Sequence, residues 1–323
     1  MMGAAKGAGT GKRPLLYFAG IGGRQAEWRQ AFGEAAPEID IVDPSTLGQR
    51  RADIHYALAW KPKPGELMGL PNLRAIFGLG AGVDGILADA SLPQKVPLVR
   101  MVDAGLTRGM VEYCIWQVIY HHRRFWEAEA AQRRHEWLDQ YYPAPWDRSV
   151  GIMGLGEIGS TVAAHLTAFK FKLRGWSRSR KQIAGVDCFA GPAELADFLA
   201  GCEILLCLLP LTAETSGLLN ADLFASLPMG AALINAGRGA QLNEADLLAA
   251  MRSGRIGSAT LDVFQTEPLP KDHPFWCQDR LFVTPHNASF TDPAAAARAI
   301  RQQIENDIAG LPLQHVVDRS RGY

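Results

Sequence analysis

Three side chains in the second half of the chain have types suited to binding a carboxylate and protonating a carbonyl oxygen. They are Arg238, Glu267 and His286. A guanidinium group can hold a carboxylate through two parallel hydrogen bonds, and an imidazole that titrates near neutrality can donate a proton to a developing alkoxide. The negative charge of Glu267 would favour protonated His286. Taken singly, each is better explained as a turn cation, a surface acid or a strand-end histidine.

Short apolar strands would position these side chains. Residues 232–235, 258–262 and 281–283 are predicted strands, and each candidate follows one of them. Glycines flank Arg238 and are interpreted as clearing space for its guanidinium group. In an open α/β sheet the carboxyl ends of parallel strands face the ligand crevice, so we expect the three candidates to lie along one edge.

A glycine pattern of the form G-x-G-x-x-G lies nearer the N-terminus. Gly154, Gly156 and Gly159 follow a predicted strand, 150–153, and open a predicted amphipathic helix, 157–170. Gly154 permits a tight turn, Gly156 lets the backbone approach a pyrophosphate, and Gly159 lets the helix pack closely on its strand. Phosphate oxygens would lie against N–H groups at the positive end of the helix. This context favours dinucleotide binding over a purely structural glycine turn.

The end of the next predicted strand, residues 171–176, indicates which dinucleotide would bind. A site that prefers NAD usually has Asp or Glu there, because a carboxylate accepts hydrogen bonds from the ribose 2′-OH. A carboxylate would repel a 2′-phosphate, whereas guanidinium groups can bind one bidentately and hydroxyl groups can donate to it. This chain has Ser177, Arg178, Ser179, Arg180 and Lys181 at that point. The sequence therefore predicts NADP(H) over NAD(H), the alternative being a solvated basic turn.

A second glycine-rich turn, GLGAGVD at residues 78–84, follows a predicted strand in the first third of the chain. Its exposed N–H groups could hold a carboxylate. From this stretch alone, a tight turn without a ligand is equally consistent.

Composition excludes several classes of protein. The chain has 323 residues, and its 33 Lys and Arg balance 33 Asp and Glu, so no overall charge favours nucleic acid or an acidic membrane. The five cysteines are odd in number and form no CxxC pair, which argues against a disulfide framework and a zinc knuckle. No apolar segment approaches the length of a membrane span, and the N-terminus lacks the apolar region of a secretion signal. We expect a cytoplasmic protein with no bound metal.

The alternation of predicted strands and helices indicates an α/β protein with parallel sheets. Residues 1–12 are expected to be a disordered tail. The strands after residue 149 give the six-strand count of a doubly wound sheet, and the last predicted helix, 293–309, lies beyond that sheet. Residues 123–137 are predicted to form an exposed helix carrying Trp126 and Trp137, whose aromatic rings are consistent with a subunit interface or with ordinary surface residues.

Together these motifs resemble the D-isomer-specific 2-hydroxyacid dehydrogenase family, and within it the glyoxylate/hydroxypyruvate reductase A branch. The segments that carry the resemblance are GLGAGVD (78–84), GMVEYC (109–114), GLGEIG (154–159), WSRSRK (176–181), LLPLTAET (208–215), INAGRG (234–239), LDVF (261–264), TEPLP (266–270), TPHNAS (284–289) and the terminal VDRSRGY. They span nearly the whole chain after the tail.

The resemblance implies two Rossmann-like or flavodoxin-like domains with parallel sheets. The NADP-binding domain, 104–290, would be inserted into a discontinuous substrate-binding domain, 13–103 and 291–323. It also implies homodimers, made largely by the nucleotide domain and its protruding helix.

The resemblance further implies residue roles and an activity, the NADPH-dependent reduction of glyoxylate or hydroxypyruvate to a D-2-hydroxy acid. Arg238 would bind the substrate carboxylate and polarise the carbonyl, His286 would be the acid/base, and Glu267 would pair with it. Substrate contacts are expected from Trp60, Gly80, Ala81, Gly82, Arg238 and His286, with the Trp60 ring favouring small 2-keto acids and the N–H groups of Ala81 and Gly82 meeting the carboxylate. Cofactor contacts are expected from Gly154, Leu155, Gly156, Glu157, Ile158, Gly159, Ser177, Arg178, Ser179, Arg180, Leu209, Pro210, Thr215, Ala236, Gly237 and Asp262, the last at the nicotinamide carboxamide.

Two other readings stay open on the sequence. One is a different dehydrogenase on the same scaffold, acting on another 2-keto acid, formate or phosphite, although the family's formate enzymes carry Gln where Glu267 stands. The other is a dinucleotide-sensing binding protein similar to the family's corepressors, which the intact Arg238, Glu267 and His286 disfavour.

Overall fold

A computed structural model describes residues 13–102 and 104–323, and the predicted tail, 1–12, lies outside the described residues. The chain forms two compact units, Met1–Asp103 with Thr291–Tyr323, and Ala104–Phe290. The first unit is therefore built from both ends of the chain. The roles predicted for the two segments, substrate binding and nucleotide binding, stay predictions.

The first unit contains a parallel sheet whose strand order is β2-β1-β3-β4-β5. Its first strand, LLYFA, is buried along its whole length, as expected where helices cover both faces of a parallel sheet. The strands are β1 (Leu15–Ala19), β2 (Asp40–Val42), β3 (Tyr56–Ala59), β4 (Ala75–Gly78) and β5 (Leu98–Val99), and the helices α1 (Gln25–Ala35), α2 (Pro44–Leu47) and α3 (Asp84–Leu87) lie between them.

The last helix of the chain belongs to this first unit. Asp292 caps it by accepting a hydrogen bond from the N–H of Ala295 at 2.8 Å, and a proline occupies the first helical position. Its apolar side chains, spaced at helical intervals, share a core cluster with Trp28 and Phe32 of α1. The helix spans Pro293–Ile308, one residue shorter than predicted.

The second unit is built on a parallel sheet of order β12-β11-β10-β9-β6-β7-β8. Its strands are β6 (Ser149–Met153), β7 (Lys172–Ser177), β8 (Val186–Ala190), β9 (Ile204–Cys207), β10 (Ala231–Asn235), β11 (Ile256–Leu261) and β12 (Leu281–Val283). Its helices are α4 (Ala104–His122), α5 (Phe125–Arg133), α6 (Glu157–Thr167), α7 (Leu195–Ala200), α8 (Ala221–Ser226) and α9 (Glu244–Arg252), and the C-terminal helix described above is α10.

The predicted count of six strands is wrong, because β8 adds a seventh strand to this sheet in the described residues. β8 pairs with β7 at the edge, and its residues are only partly buried or exposed. Its sequence, VDCFA, is not a continuous apolar run, which is the pattern that predicts the buried strands.

The predicted helix at residues 123–137 is also shorter than expected. Arg124, at a left-handed φ of 51°, separates α4 from α5, and His135 adopts φ 58° after α5 has ended. Trp126 lies on α5 with the guanidinium carbon of Arg124 5.5 Å from its ring centroid. Trp137 lies outside the helix and is 97% exposed. Only one of the two tryptophans is therefore presented by a helix.

The remaining differences concern element ends. The helix predicted at residues 157–170 ends earlier, at Thr167, and the strand predicted at 171–176 lies at Lys172–Ser177. The fold class is confirmed: two parallel sheets alternate with helices in a Rossmann-like α/β architecture. Within residues 13–102 and 104–323, none of the helices combines the length and apolarity that crossing a bilayer requires.

Candidate active site

The strands of the second unit end in register along one edge of their sheet. Consecutive neighbours pair at their last residues, as Met153 with Cys207, Asn235 with Cys207, Asn235 with Leu261, and Leu261 with Val283. Because the strands are parallel, the segments that follow them emerge at the same carboxyl edge. The glycine turn, the Arg238 segment and the segments of Glu267 and His286 all start from this edge.

The three glycines of the turn after β6 differ in what the surrounding structure requires of them. Gly154 adopts φ 102°, which only glycine adopts without strain. A Cβ on Gly159 would lie 1.8 Å from the carbonyl oxygen of Gly154, so α6 can approach the turn only with glycine there. A Cβ on Gly156 would meet nothing within 4 Å, and this residue is exposed. Close protein packing explains Gly154 and Gly159 but leaves Gly156 unexplained.

The start of α6 is suited to an anion. Gly156 is its N-cap in an extended conformation, and no side chain caps the helix within the described part of the chain. The N–H groups of the first helical turn have no acceptors inside a helix, and they lie at its positive end. These groups fit a pyrophosphate.

Other predicted cofactor residues divide into surface and core positions. Glu157 is exposed and Ile158 partly buried, whereas the Leu155 side chain packs against Gly175, where a Cβ would lie 2.7 Å from Leu155 Cδ1. The side chain of Leu155 is therefore a core group, and only its backbone remains for a ligand.

In the loop after β9, Thr215 Oγ1 donates to the Pro210 carbonyl oxygen at 2.7 Å and accepts from the Thr212 N–H at 2.8 Å, which fixes the loop beside Leu209.

The basic segment after β7 is held by hydrogen bonds within the second unit. Ser177 Oγ donates to the Ser179 carbonyl oxygen at 2.7 Å, and Arg180 donates to the Cys188 carbonyl oxygen at 2.6 Å. Arg180 also pairs with Glu194, whose other carboxylate oxygen accepts from the Ala190 N–H at 2.8 Å. Glu194 lies 14 residues from Arg180 in the sequence. Both side chains bond to the backbone of β8, the strand absent from the prediction. Arg178, Ser179 and Arg180 are all exposed.

The glycines beside Arg238 serve backbone packing, which corrects the interpretation that they clear space for the guanidinium group. A Cβ on Gly239 would lie 1.9 Å from the backbone of Phe264, and a Cβ on Gly237 would lie 2.4 Å from Gln241 Oε1. The chain before Arg238 is equally tight, since Ala236 donates its N–H to the Cys207 carbonyl oxygen at 3.1 Å.

Gln241, which sequence reasoning missed, organises this segment. Its Oε1 accepts from the Arg238 N–H at 2.8 Å, and its Nε2 donates to the Leu209 carbonyl oxygen at 2.9 Å. The side chain is 1% exposed. A buried amide with both ends bonded ties the Arg238 segment to the loop after β9. The signal in the sequence was a polar residue three positions after Arg238.

His286 and Glu267 are brought together although they lie 19 residues apart in the sequence. His286 Nδ1 is 2.9 Å from Glu267 Oε2, and Glu267 Oε1 accepts from the Phe264 N–H at 3.2 Å. The two side chains are 33% and 23% exposed. This arrangement orients the imidazole through Nδ1 and leaves Nε2 as the ring nitrogen for a proton transfer.

Asp262 holds the backbone next to His286. It accepts from Thr284 Oγ1 at 2.6 Å and from the N–H groups of Asn287 and Ala288 at 2.9 and 3.1 Å. Its side chain is buried, and this burial raises the pKa of the carboxyl group against the opposing effect of the three hydrogen bonds. Asp262 therefore fixes both residues that follow His286, and its predicted contact with a nicotinamide stays a prediction.

The candidates in the first unit follow two neighbouring strands. Trp60 follows β3, and the segment from Gly80 to Gly82 follows β4, which pairs with β3 through Ala59 and Gly78. Gly80 is buried and lies against the Trp60 ring, while Ala81 and Gly82 are partly buried. The structure brings these four residues together within the first unit.

The second unit matches a known family model. Residues 115–288 match the model described as D-isomer specific 2-hydroxyacid dehydrogenase, NAD binding domain. The match covers more than half of the chain and includes all three candidate catalytic side chains.

Relatives resemble the chain along nearly its whole length. Glyoxylate/hydroxypyruvate reductase A of Serratia proteamaculans is 44% identical over 304 residues, which cover 92% of this chain and 96% of that protein. A D-isomer specific 2-hydroxyacid dehydrogenase from Xanthobacter autotrophicus Py2, solved with NADPH and MES, is 40% identical with a TM-score of 0.91, and covers 97% of this chain and 100% of its own. An NADPH-dependent glyoxylate/hydroxypyruvate reductase from Sinorhizobium meliloti, solved with NADP and sulfate, is 40% identical with a TM-score of 0.90 and the same coverage.

These likenesses agree with the fold of two parallel sheets that alternate with helices. They confirm the resemblance drawn from the sequence motifs, including the branch within the family. The chain belongs to the D-isomer specific 2-hydroxyacid dehydrogenase family.

Proposed function

We propose that this protein reduces small 2-keto acids, glyoxylate and hydroxypyruvate, to D-2-hydroxy acids with NADPH. The observation that carries the proposal is the pair of His286 Nδ1 and Glu267 Oε2 at 2.9 Å, on the same sheet edge as the glycine turn and Arg238. An oriented imidazole on the same sheet edge as a turn that suits an anion is the arrangement that carbonyl reduction with a dinucleotide requires. The names of the Serratia and Sinorhizobium relatives support the choice of substrates.

The residues present fit NADP(H). The uncapped start of α6 and the open space beside Gly156 fit a pyrophosphate. Exposed Arg178 and Ser179 follow β7, where an NAD site would carry an acid, and these groups fit a 2′-phosphate. The cofactor contact predicted for Leu155 is proposed for its backbone, because its side chain lies in the core. The contact predicted for Asp262 is proposed for its carboxylate, which already accepts three hydrogen bonds. Two solved relatives, described above, contain NADPH or NADP.

The chemistry divides between the cofactor and the protein. NADPH, when bound, supplies a hydride to the keto carbon. Arg238 binds the substrate carboxylate and polarises the carbonyl, and its backbone is held by Gln241. His286 delivers a proton from Nε2 to the carbonyl oxygen, while Glu267 holds the orientation of the imidazole through Nδ1. Asp262 keeps the backbone after His286 in place.

Substrate recognition in the first unit is proposed for Trp60 and the segment Gly80–Gly82. The N–H groups of Ala81 and Gly82 would receive the substrate carboxylate, and the Trp60 ring would limit the substituent on the keto carbon. Support comes from the contact between the Trp60 ring and Gly80, the residue that precedes Ala81.

We further propose a homodimer made largely by the second unit, with Trp137 a candidate for contact with the partner. Support comes from the 97% exposure of Trp137, which leaves its ring available to a partner, and from the enrichment of aromatic side chains at interfaces. We propose the cytoplasm as the compartment because the sequence contains five cysteines, an odd number without a CxxC pair.

The loss of NADPH absorbance with a panel of 2-keto acids tests the proposal. We expect turnover with glyoxylate and hydroxypyruvate, and slower turnover when NADH replaces NADPH. Activity in the reverse direction with formate or phosphite, and none with 2-keto acids, would favour another dehydrogenase on the same scaffold. Tight NADPH binding without turnover of any of these compounds would favour a dinucleotide sensor.

A further inference from the structure

The segment that carries Trp60 lies between two glycines of neighbouring strands. β3 is flanked by β1 and β4 in the sheet of the first unit. Gly20 directly follows β1, Trp60 directly follows β3, and Gly80 follows β4 by two residues. Because these strands are parallel and in register, the three residues lie side by side at one edge of the sheet.

On the Gly20 side, the backbone after Trp60 is packed too closely for any side chain. A Cβ on Gly20 would lie 2.2 Å from the Lys61 carbonyl oxygen and 2.5 Å from the Pro62 nitrogen, and Gly20 itself adopts φ 65°. The Trp60 N–H donates to the Ala19 carbonyl oxygen at 3.2 Å. The backbone of Trp60 is therefore held in place by β1 and the residue that follows it.

On the Gly80 side, the contact is with the indole ring. A Cβ on Gly80 would lie 2.7 Å from Trp60 Cζ3, 3.5 Å from Cη2 and 3.7 Å from Cε3, and no atom of another residue is as near. Gly80 does not have a positive φ, so its backbone conformation would accept a side chain. The indole alone accounts for glycine at this position.

The Gly80 backbone is itself held. Its carbonyl oxygen accepts from the Met101 N–H at 3.2 Å, and the preceding Leu79 bonds to Ala59 of β3 through its N–H at 2.9 Å. With the Trp60 and Gly80 backbones both held, a methyl group at residue 80 can be accommodated only by movement of the indole. Closing the gap from 2.7 Å to an ordinary contact of 3.4 Å requires a ring shift of about 0.7 Å.

We infer that Gly80 is a specificity-determining residue that acts through Trp60: its missing side chain sets the position of the indole, and the indole sets which 2-keto acids are accepted. The inference rests on the proposed function. It deepens that function because Ala81, the next residue, carries one of the N–H groups proposed for the substrate carboxylate. The ring that contacts Gly80 is therefore within reach of the carbon chain of an acid bound at Ala81 and Gly82.

The substitution Gly80→Ala tests this inference because it retains every backbone N–H group. The displaced indole is expected to reduce kcat/KM for hydroxypyruvate at least about fivefold more than that for glyoxylate, since only hydroxypyruvate has a substituent on the keto carbon. In the Trp60→Leu background, which removes the indole, the same substitution is expected to change the ratio of the two kcat/KM values less than about twofold. The matched control is Gly85→Ala on α3, where a Cβ meets nothing within 4 Å and the ratio is expected to stay unchanged.

An unchanged ratio in Gly80→Ala, or an equal change with and without the indole, would overturn the inference while leaving the proposed function intact. A wild-type protein that reduces no 2-keto acid would instead overturn the proposed function. Should Gly80→Ala alone fail to fold, the double variant Gly80→Ala with Trp60→Leu must fold. Failure of both to fold would show that Gly80 is required for a reason other than the indole, and would also overturn the inference.

Discussion

Gly156 and Gly159 lie three residues apart in one turn, and alanine is expected to impair different properties there, cofactor affinity at Gly156 and stability at Gly159. At Gly159 a Cβ would lie 1.8 Å from the Gly154 carbonyl oxygen, whereas ordinary contact begins at 3.4 Å, so these atoms must separate by about 1.6 Å. The two nearest neighbours, the carbonyl oxygen and carbon of Gly154, are backbone atoms, which cannot rotate away. Gly159→Ala should therefore lower the free energy of unfolding by about 3 kcal/mol, the upper end of the usual cost of overpacking.

At Gly156 a Cβ meets nothing within 4 Å, and the φ of −76° is one that alanine adopts. Gly156→Ala should cost the apoprotein only about 0.5 kcal/mol, because alanine is a poorer N-cap than glycine. The new methyl group would nevertheless lie where we propose that a pyrophosphate approaches the backbone. We expect NADPH to bind at least about tenfold more weakly, a loss of about 1.4 kcal/mol.

Urea unfolding of the apoproteins and fluorescence titration with NADPH measure the two quantities separately. Gly156→Ala should lose affinity with little loss of stability, and Gly159→Ala should lose stability. Wild-type affinity for NADPH in Gly156→Ala would refute the assignment of this turn to the pyrophosphate. Equal destabilisation by the two substitutions would refute the packing argument.

Two other predictions concern the basic segment and a buried histidine. Replacing Arg178 and Arg180 with alanine should raise the KM for NADPH at least about tenfold more than the KM for NADH, because only NADPH carries the 2′-phosphate; equal effects in steady-state kinetics would contradict the assignment. Burial lowers the pKa of His121 from 6.5 to about 3. The ring nitrogens of His121 lie 2.8 and 2.9 Å from Ser258 Oγ and Thr260 Oγ1. The unfolded chain therefore binds a proton below pH 6.5 that the folded chain does not, so stability is complete above pH 6.5 and falls as the pH drops toward 3. From pH 7 to pH 5 this loss should be about 2 kcal/mol in urea unfolding and should be absent in His121→Gln, whereas identical pH dependence in both proteins would contradict it.

The sequence was sufficient for features that depend on local order. Buried strands such as LLYFA are continuous apolar runs, and the glycine turn is defined by the spacing of Gly154, Gly156 and Gly159. The carboxyl-edge rule for parallel strands was enough to group Arg238, Glu267 and His286 before any distance was known. That grouping holds in the structure as a shared sheet edge, with a direct contact between Glu267 and His286.

Features that depend on contacts between distant residues could not be predicted. β8 was missed because an edge strand needs no continuous apolar run, and with it the pairing of Arg180 with Glu194. The glycines beside Arg238 were interpreted as clearing space for its guanidinium group, although Gln241 and Phe264 occupy the space beside them. A glycine in a sequence shows that something approaches closely, but only the structure shows whether it is a ligand or another part of the chain.

The central claim is that His286 protonates the carbonyl oxygen of a 2-keto acid during reduction with NADPH. The most direct test is the kcat of His286→Ala with glyoxylate at saturating NADPH, measured beside the Kd for NADPH. Loss of a positioned acid should lower kcat by about 100-fold or more, while NADPH affinity stays within about threefold of wild type, because the contacts proposed for the pyrophosphate and the 2′-phosphate follow β6 and β7. A variant that retains most of its kcat would contradict the claim.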